Sequence, residues 1–144
     1  MELSAAQRER YERNLLVEGF TDRMQQALIA ARVAVVGAGG LGSAALNYLV
    51  AAGVGHLTLI ENDTVSLSNL QRQVLYTTAD MGRPKAEVAA MRLSRLNPGC
   101  DIRVVTDRLT AANAAGLLGG HDAVVDCTDN YDARYVIDDF CREA

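Results

Sequence analysis

An α/β fold is predicted here, a mostly parallel sheet with helices on both faces, preceded by two N-terminal helices. Three observations predict it. Short β-branched runs alternate along the chain with helix-patterned segments. Those runs are almost continuously apolar, as strands covered on both faces are. A glycine-rich turn joins the first run directly to a helix, which makes the arrangement Rossmann-like, with right-handed crossovers between parallel strands. With 144 residues, 49% of them apolar and 22% charged, the chain can bury one core, and the disordered class is excluded.

The elements follow in order. Ser4 to Leu16 reads as a helix capped by Ser4, and a second short helix runs from a Thr21 cap to about Ala30. The first strand is the run from Arg32 through Val36. It ends in Gly37-Ala-Gly-Gly-Leu-Gly42, and the helical stretch from Ser43 to Ala52 stops at Gly53. His56 to Ile60 is the second strand and delivers Glu61-Asn62-Asp63 at its carboxyl end; a polar, loop-like passage follows. Pro84 suits the first turn of a helix running to about Asn97, with Pro98-Gly99 closing it. Asp101 to Thr106 is a third strand, a short helix starts near Thr110, and the run from Ala123 into Cys127 is a fourth, buried strand. The segment Thr128-Asp129-Asn130 then opens a final helix, with Asn130 as its cap.

Charge and cysteine usage exclude several functions. The net charge of −4 supplies no basic field for a phosphate backbone, so no nucleic-acid partner is expected. Three cysteines without CxxC or Cys/His ligand spacing imply reduced, packed thiols, Cys127 among the core residues. The N-terminus lacks the apolar stretch of a signal peptide, and no run approaches the ~20 apolar residues of a membrane span, so a cytoplasmic protein without membrane contact is expected. Among 14 basic residues only Lys85 is a lysine.

In a parallel sheet of this kind ligands bind beyond the carboxyl ends of the strands, where the strand order reverses. The Gly37 to Gly42 turn, the Glu61 to Asp63 cluster and the Thr128 to Asn130 segment all follow strands and should converge on one cleft. Gly37-x-Gly39-x-x-Gly42 fits a dinucleotide fingerprint, and Glu61, 19 positions after Gly42, can accept hydrogen bonds from ribose hydroxyls. To this point a nicotinamide-dependent oxidoreductase fits. The next stretch does not suit one: Ser68-Asn-Leu-Gln-Arg-Gln73 and Gly82-Arg-Pro-Lys85 bring Arg72 and Lys85 beside the turn, and hydride transfer has no use for such a clamp. Phosphate chemistry does, because negative charge spreads over the reacting phosphoryl centre and its leaving group. Neither His56 nor His121 sits in a site motif, and both read as surface or strand-end residues. Asp126 falls inside the apolar run and Asp129 beyond it, where a metal can be reached; Asp63 either supports the polar loop or faces solvent.

These segments, Gly37 to Gly42, Asp63 to Gln73, Gly82 to Lys85 and Asp126-Cys-Thr-Asp-Asn130, together with Arg10-Tyr-Glu-Arg-Asn14, resemble the ThiF/MoeB/HesA family, relatives of the ubiquitin-activating enzymes. The resemblance covers essentially the whole chain. It implies a single ATP-binding adenylyltransferase domain over residues 1–144, with N-terminal helices to residue 30 and the core from residue 31. The implied reaction is adenylation of the C-terminal glycine of a ubiquitin-like sulfur carrier, for molybdopterin or thiamine biosynthesis. It puts Gly37, Gly39, Gly40 and Gly42 at the nucleotide phosphates and Glu61 at the ribose. Ser68, Asn69, Leu70, Gln71, Arg72, Lys85, Asp129 and Asn130 complete the implied ATP site, with Asp129 as the Mg²⁺ ligand. Arg72, Lys85 and Asp129 are the implied catalytic groups, joined by Arg13, which matches an arginine that reaches a neighbouring subunit's ATP. Glu61 stands where the family usually has Asp, and Asn14 where it usually has Gln. The family's further strands and the CxxC pair of its structural zinc are not in this sequence, so a fragment or short form is expected. Self-association into a homodimer is expected too, from the sheet edge this would leave open. The alternatives are a non-catalytic ATP-binding or dimerisation fragment and, with less support, the nicotinamide enzyme.

Overall fold

In the computed structural model, which describes residues 2–144, four strands and seven α-helices alternate much as the sequence pattern predicts. Helix α1 (Ala5–Arg10) starts from a capping box, the Ser4 hydroxyl accepting from Gln7 N while the Gln7 side chain accepts from Ser4 N. The expected single helix to Leu16 is broken: Tyr11 leaves helical geometry (φ −104°, ψ 14°), and α2 (Glu12–Leu15) begins beyond it. Tyr11 is 4% exposed and its hydroxyl accepts from Asn97 Nδ2 at 2.9 Å, so a long-range anchor at this residue accompanies the break. Helix α3 (Asp22–Ala30) has the expected Thr21 cap.

Strand β1 (Arg32–Val36) leads into α4 (Gly40–Ala52), which ends where Gly53 takes the left-handed conformation (φ 103°). Strand β2 (His56–Ile60) is followed by the polar passage, which contains two short 3-10 turns at Leu67–Asn69 and Thr78–Asp80. Helix α5 (Lys85–Leu96) and β3 (Asp101–Val105) come next. The helix expected from Thr110 begins later, as α6 (Ala114–Leu118), because Thr110 N donates to Asn113 Oδ1 and closes a turn first. Strand β4 (Ala123–Asp126) and α7 (Tyr131–Glu143) complete the fold.

The sheet is parallel throughout, in the order β3-β2-β1-β4. One face packs Val33, Val35, Leu57 and Leu59 against α4 and α5, where Leu46, Val50, Val88 and Leu93 are buried. The other packs Ala34, Val36, Ile60 and Val105 against α6 and α7. Central strands β1 and β2 are buried from their second residue onward. The expectation of a buried fourth strand needs correction: β4 pairs only with β1 and is half-buried at best, since the described residues leave its outer edge uncovered. Cys127 likewise falls one residue past β4, half-buried rather than inside the strand. Among the described residues no helix is long and apolar enough to cross a membrane.

The position of β1 makes the site. From β1 the chain moves outward through β2 and β3, then returns to place β4 on the other side of β1. Helix α4 therefore leaves β1 toward one face of the sheet and α7 leaves β4 toward the other, and a cleft lies at the carboxyl ends of the strands.

Candidate active site

The cleft holds about 950 Å³, ample for a nucleotide, and the loop after every strand contributes to its wall. Its floor is the glycine turn. Gly37 has φ +96°, and a Cβ there would lie 2.7 Å from the Cys127 carbonyl oxygen; a Cβ on Gly42 would lie 2.1 Å from the Gly37 carbonyl oxygen. Only glycine lets β1, α4 and the loop after β4 approach this closely. Gly37, Gly39 and Gly40 line the cleft, whereas Gly42 serves the packing of helix on strand. No side chain caps α4, so its first-turn N–H groups are left for a ligand at the cleft.

Glu61, at the end of β2, binds the turn to the next loop. Its Oε2 accepts from Ala38 N and its Oε1 from Asp63 N, both at 2.8 Å, and it lines the cleft. Each oxygen keeps a lone pair for a further donor. Tyr76 braces the same turn from below by donating its hydroxyl to the Ala38 carbonyl at 2.7 Å; burial, with the charges of Glu61 and Asp63, raises the pKa of its phenol.

The polar passage is built around buried Asp80. Thr77 N and Oγ1, Arg92 and Arg83 all donate to its carboxylate. Burial alone would raise its pKa, but these donors and the two guanidinium charges outweigh that and hold it below the ordinary carboxylate value. Of the residues expected to touch the nucleotide from this passage, Arg72 lines the cleft and lays its stem over Gly40, with Cδ 3.5 Å from where a Cβ would stand. Ser68, Asn69, Leu70 and Gln71 are not among the lining residues. Asn69 accepts from Ser66 Oγ and, through its carbonyl, from Gln73 N, while Leu70 packs on the core, so this stretch shapes the loop.

Lys85 lines the cleft from the start of α5, only 3% exposed, with Nζ 2.8 Å from Asp63 Oδ2. The hydrogen bond and charge of Lys85 lower the Asp63 pKa against a smaller opposing effect of burial. Past β4, Asp126 turns back to accept from Thr128 N and Oγ1, Asp129 lines the cleft, and Asn130 caps α7 by accepting from Ala133 N. Asp129 is a hard oxygen donor facing the cavity. The described residues hold no cluster of three metal-ligating side chains. Arg13 is exposed on α2 and does not line the cleft of its own chain. Neighbouring Asn14 donates to Gln25 Oε1 and the Ala52 carbonyl, tying α2 to α3 and α4. Both histidines lie away from the cleft; His121 bridges the Leu118 carbonyl and Thr58.

Sequence reasoning left several contributors without a role, Asp107 and Asp132 among them. Arg108 reaches the wall from the loop after β3, a position signalled only by its following a parallel strand. Gln73 is 4% exposed, lines the cleft and leaves its buried Oε1 without a partner. Asp63 engages Lys85. The charged lining sums to five carboxylates (Glu61, Asp63, Asp107, Asp129, Asp132) against three cations (Arg72, Lys85, Arg108).

A ThiF family profile matches residues 11–144. The chain is 48% identical, over 143 residues, to molybdopterin-synthase adenylyltransferase of Salmonella typhimurium, covering 99% of this chain and 57% of that protein. It is 49% identical over 131 residues to the sulfur carrier protein adenylyltransferase of Thermus thermophilus, covering 91% and 48%. The chain thus spans about half the length of the curated relatives it matches. Among solved structures, the Escherichia coli tRNA N6-threonylcarbamoyladenosine dehydratase TcdA in complex with ATP superposes with a TM-score of 0.92 at 33% identity, over 99% of this chain and 58% of that one.

Proposed function

Because the chain belongs to the ThiF family, we propose that its cleft binds ATP and that the protein adenylates the C-terminal carboxylate of a ubiquitin-like sulfur-carrier protein, in sulfur transfer for molybdopterin or thiamine biosynthesis. Residues 1–144 act in this reading as one ATP-binding unit, N-terminal helices to residue 30 and core beyond. The observation that carries it is the meeting of Arg72 and Lys85 at a cleft floored by the glycine turn. The names of the relatives support the substrate class, and a structural neighbour in complex with ATP supports the nucleotide over a nicotinamide.

The chemistry asks little of a base. A peptide's terminal carboxyl, with a pKa of about 3.3 to 3.7, is already an anion at neutral pH. One of its oxygens attacks the α-phosphorus, the bond from that phosphorus to the bridging oxygen breaks, and pyrophosphate leaves with the electron pair, giving the acyl-adenylate. The α4 N–H groups and Gly40 cradle phosphate, Glu61 accepts from ribose hydroxyls, and Arg72 and Lys85 offset the charge that builds on the departing pyrophosphate. Three cations against five carboxylates leave this wall acidic, so a polyanion needs more positive charge than these lining residues supply. Mg²⁺ held by Asp129 would neutralise phosphate charge. Arg13, exposed on α2, would reach the cleft of a second copy in a homodimer. Three unpaired thiols support a reducing, cytoplasmic setting.

Carrier-dependent exchange of labelled pyrophosphate into ATP tests the reading. Exchange is expected with a sulfur carrier of the family and not with one lacking its terminal glycine. ATP binding without exchange would instead support a non-catalytic nucleotide-binding fragment.

A further inference from the structure

The cleft contains an ion pair that ATP contact alone leaves without a purpose. Lys85 Nζ donates to Asp63 Oδ2 at 2.8 Å, yet the two side chains differ sharply in exposure, 4% for Lys85 and 69% for Asp63. The lysine is fixed at both ends. Its own N–H donates to the Asp63 carbonyl, Val65 N donates to the Arg83 carbonyl, and Gly82 N to the Val65 carbonyl, so 63–65 and 82–85 run together as a short antiparallel seam. The Asp63 backbone is held too, its N–H donating to Glu61. Only the Asp63 carboxylate is free to move, since its far side is in water.

We propose that Asp63 is a positioning residue that acts as a placeholder anion: it neutralises the Lys85 ammonium while the cleft is empty and yields that ammonium to the phosphates when a nucleotide enters. An ammonium as enclosed as Lys85 is costly to leave without an anion, whereas a carboxylate that swings into solvent loses little. The pair therefore lets the fold keep a buried cation aimed at phosphate without a standing penalty, and the returning carboxylate competes for the ammonium as pyrophosphate departs. This inference rests on the reading that the cleft takes ATP through Lys85.

The sign of the effect separates this role from simple scaffolding. Asp63→Asn removes the competitor and leaves Lys85 unneutralised in the empty protein, so phosphate binding should tighten; a scaffold residue would only loosen binding when replaced. By titration calorimetry on the full chain, Asp63→Asn and Asp63→Ser are expected to lower the Kd for ATP and for inorganic pyrophosphate about three- to tenfold, with adenosine affinity unchanged. Equal or weaker ATP affinity in both variants, with the wild type binding ATP, would overturn the placeholder and leave the proposed function standing. A wild type that binds neither ATP nor pyrophosphate would overturn both.

Discussion

Gly42→Ala tests the corner on which the cleft is built. An added Cβ would sit 2.1 Å from the Gly37 carbonyl oxygen and 2.8 Å from its carbon, with Cys127 Cβ at 3.6 Å on the other side. A carbon and a carbonyl oxygen touch at about 3.3 Å, so β1 and α4 must part by roughly 1 Å, and what blocks the methyl is backbone that cannot rotate aside. Overpacking of this kind costs about 1–3 kcal/mol, and backbone obstruction places Gly42 near the upper end; alanine's better helix propensity returns about 1 kcal/mol. A net loss of about 2 kcal/mol corresponds to roughly 4–8 °C in Tm for a chain of this size. The shift also moves Ala38, whose N–H and carbonyl are held by Glu61 and Tyr76, so ATP affinity should fall as well. Gly116→Ala is the internal control: it lies within α6 with nothing inside 4 Å, so the same change should raise Tm slightly. Calorimetric melting of both variants checks this. A Gly42→Ala protein melting within about 1 °C of wild type, or no lower than the Gly116→Ala control, would refute the packing argument.

Arg72→Ala should cut carrier-dependent pyrophosphate exchange by about 100-fold or more while leaving the melting temperature nearly unchanged, because this exposed side chain makes one long bond, to the Ser68 carbonyl at 3.4 Å. Exchange at the wild-type rate would remove the arginine from the mechanism. Asp80, whose folded pKa lies below its ordinary value of 3.8, contributes stability that is present above that value and lost as pH falls through the lower folded one. Denaturant midpoints from pH 7 down to pH 2 should therefore fall more steeply for wild type than for Asp80→Asn, which should be less stable at neutral pH; parallel curves would refute the assignment. Thiol labelling should find exposed Cys141 fast and Cys100, which burial pushes up to about 11, unreactive at pH 8 until the protein is denatured. Rapid modification of Cys100 in the native protein would contradict its burial.

All four strands, and all helices of the core from α4 onward, were legible from pattern because each signal is local: β-branched runs, a Pro84 entry, a Gly53 exit. The errors fall where a distant contact overrides the local signal. Tyr11 breaks a helix-patterned segment while bonded to Asn97, 86 residues on, and the thin cover over β4 depends on what lies beside it in the sheet. In the site, the glycine turn, Glu61, Arg72, Lys85 and Asp129 could be named in advance because each follows a strand or belongs to a spaced motif. Arg108 belongs to no spaced motif, and Gln73, though it ends the Ser68 to Gln73 motif, is an uncharged side chain whose place in the wall depends on the course of its loop.

By itself, then, the amino-acid order determined the alternation of elements, the family and the kind of charge brought to the cleft, since these depend on side-chain type at short spacing. Tertiary structure alone decided which of those charges are free. Asp63 was ambiguous in one dimension and becomes the counterion of Lys85 only because the seam between 63–65 and 82–85 sets them 2.8 Å apart. Arg13 stays off its own cleft for the same kind of reason: where a side chain ends up depends on how the segments pack, a matter of distance in space rather than along the chain.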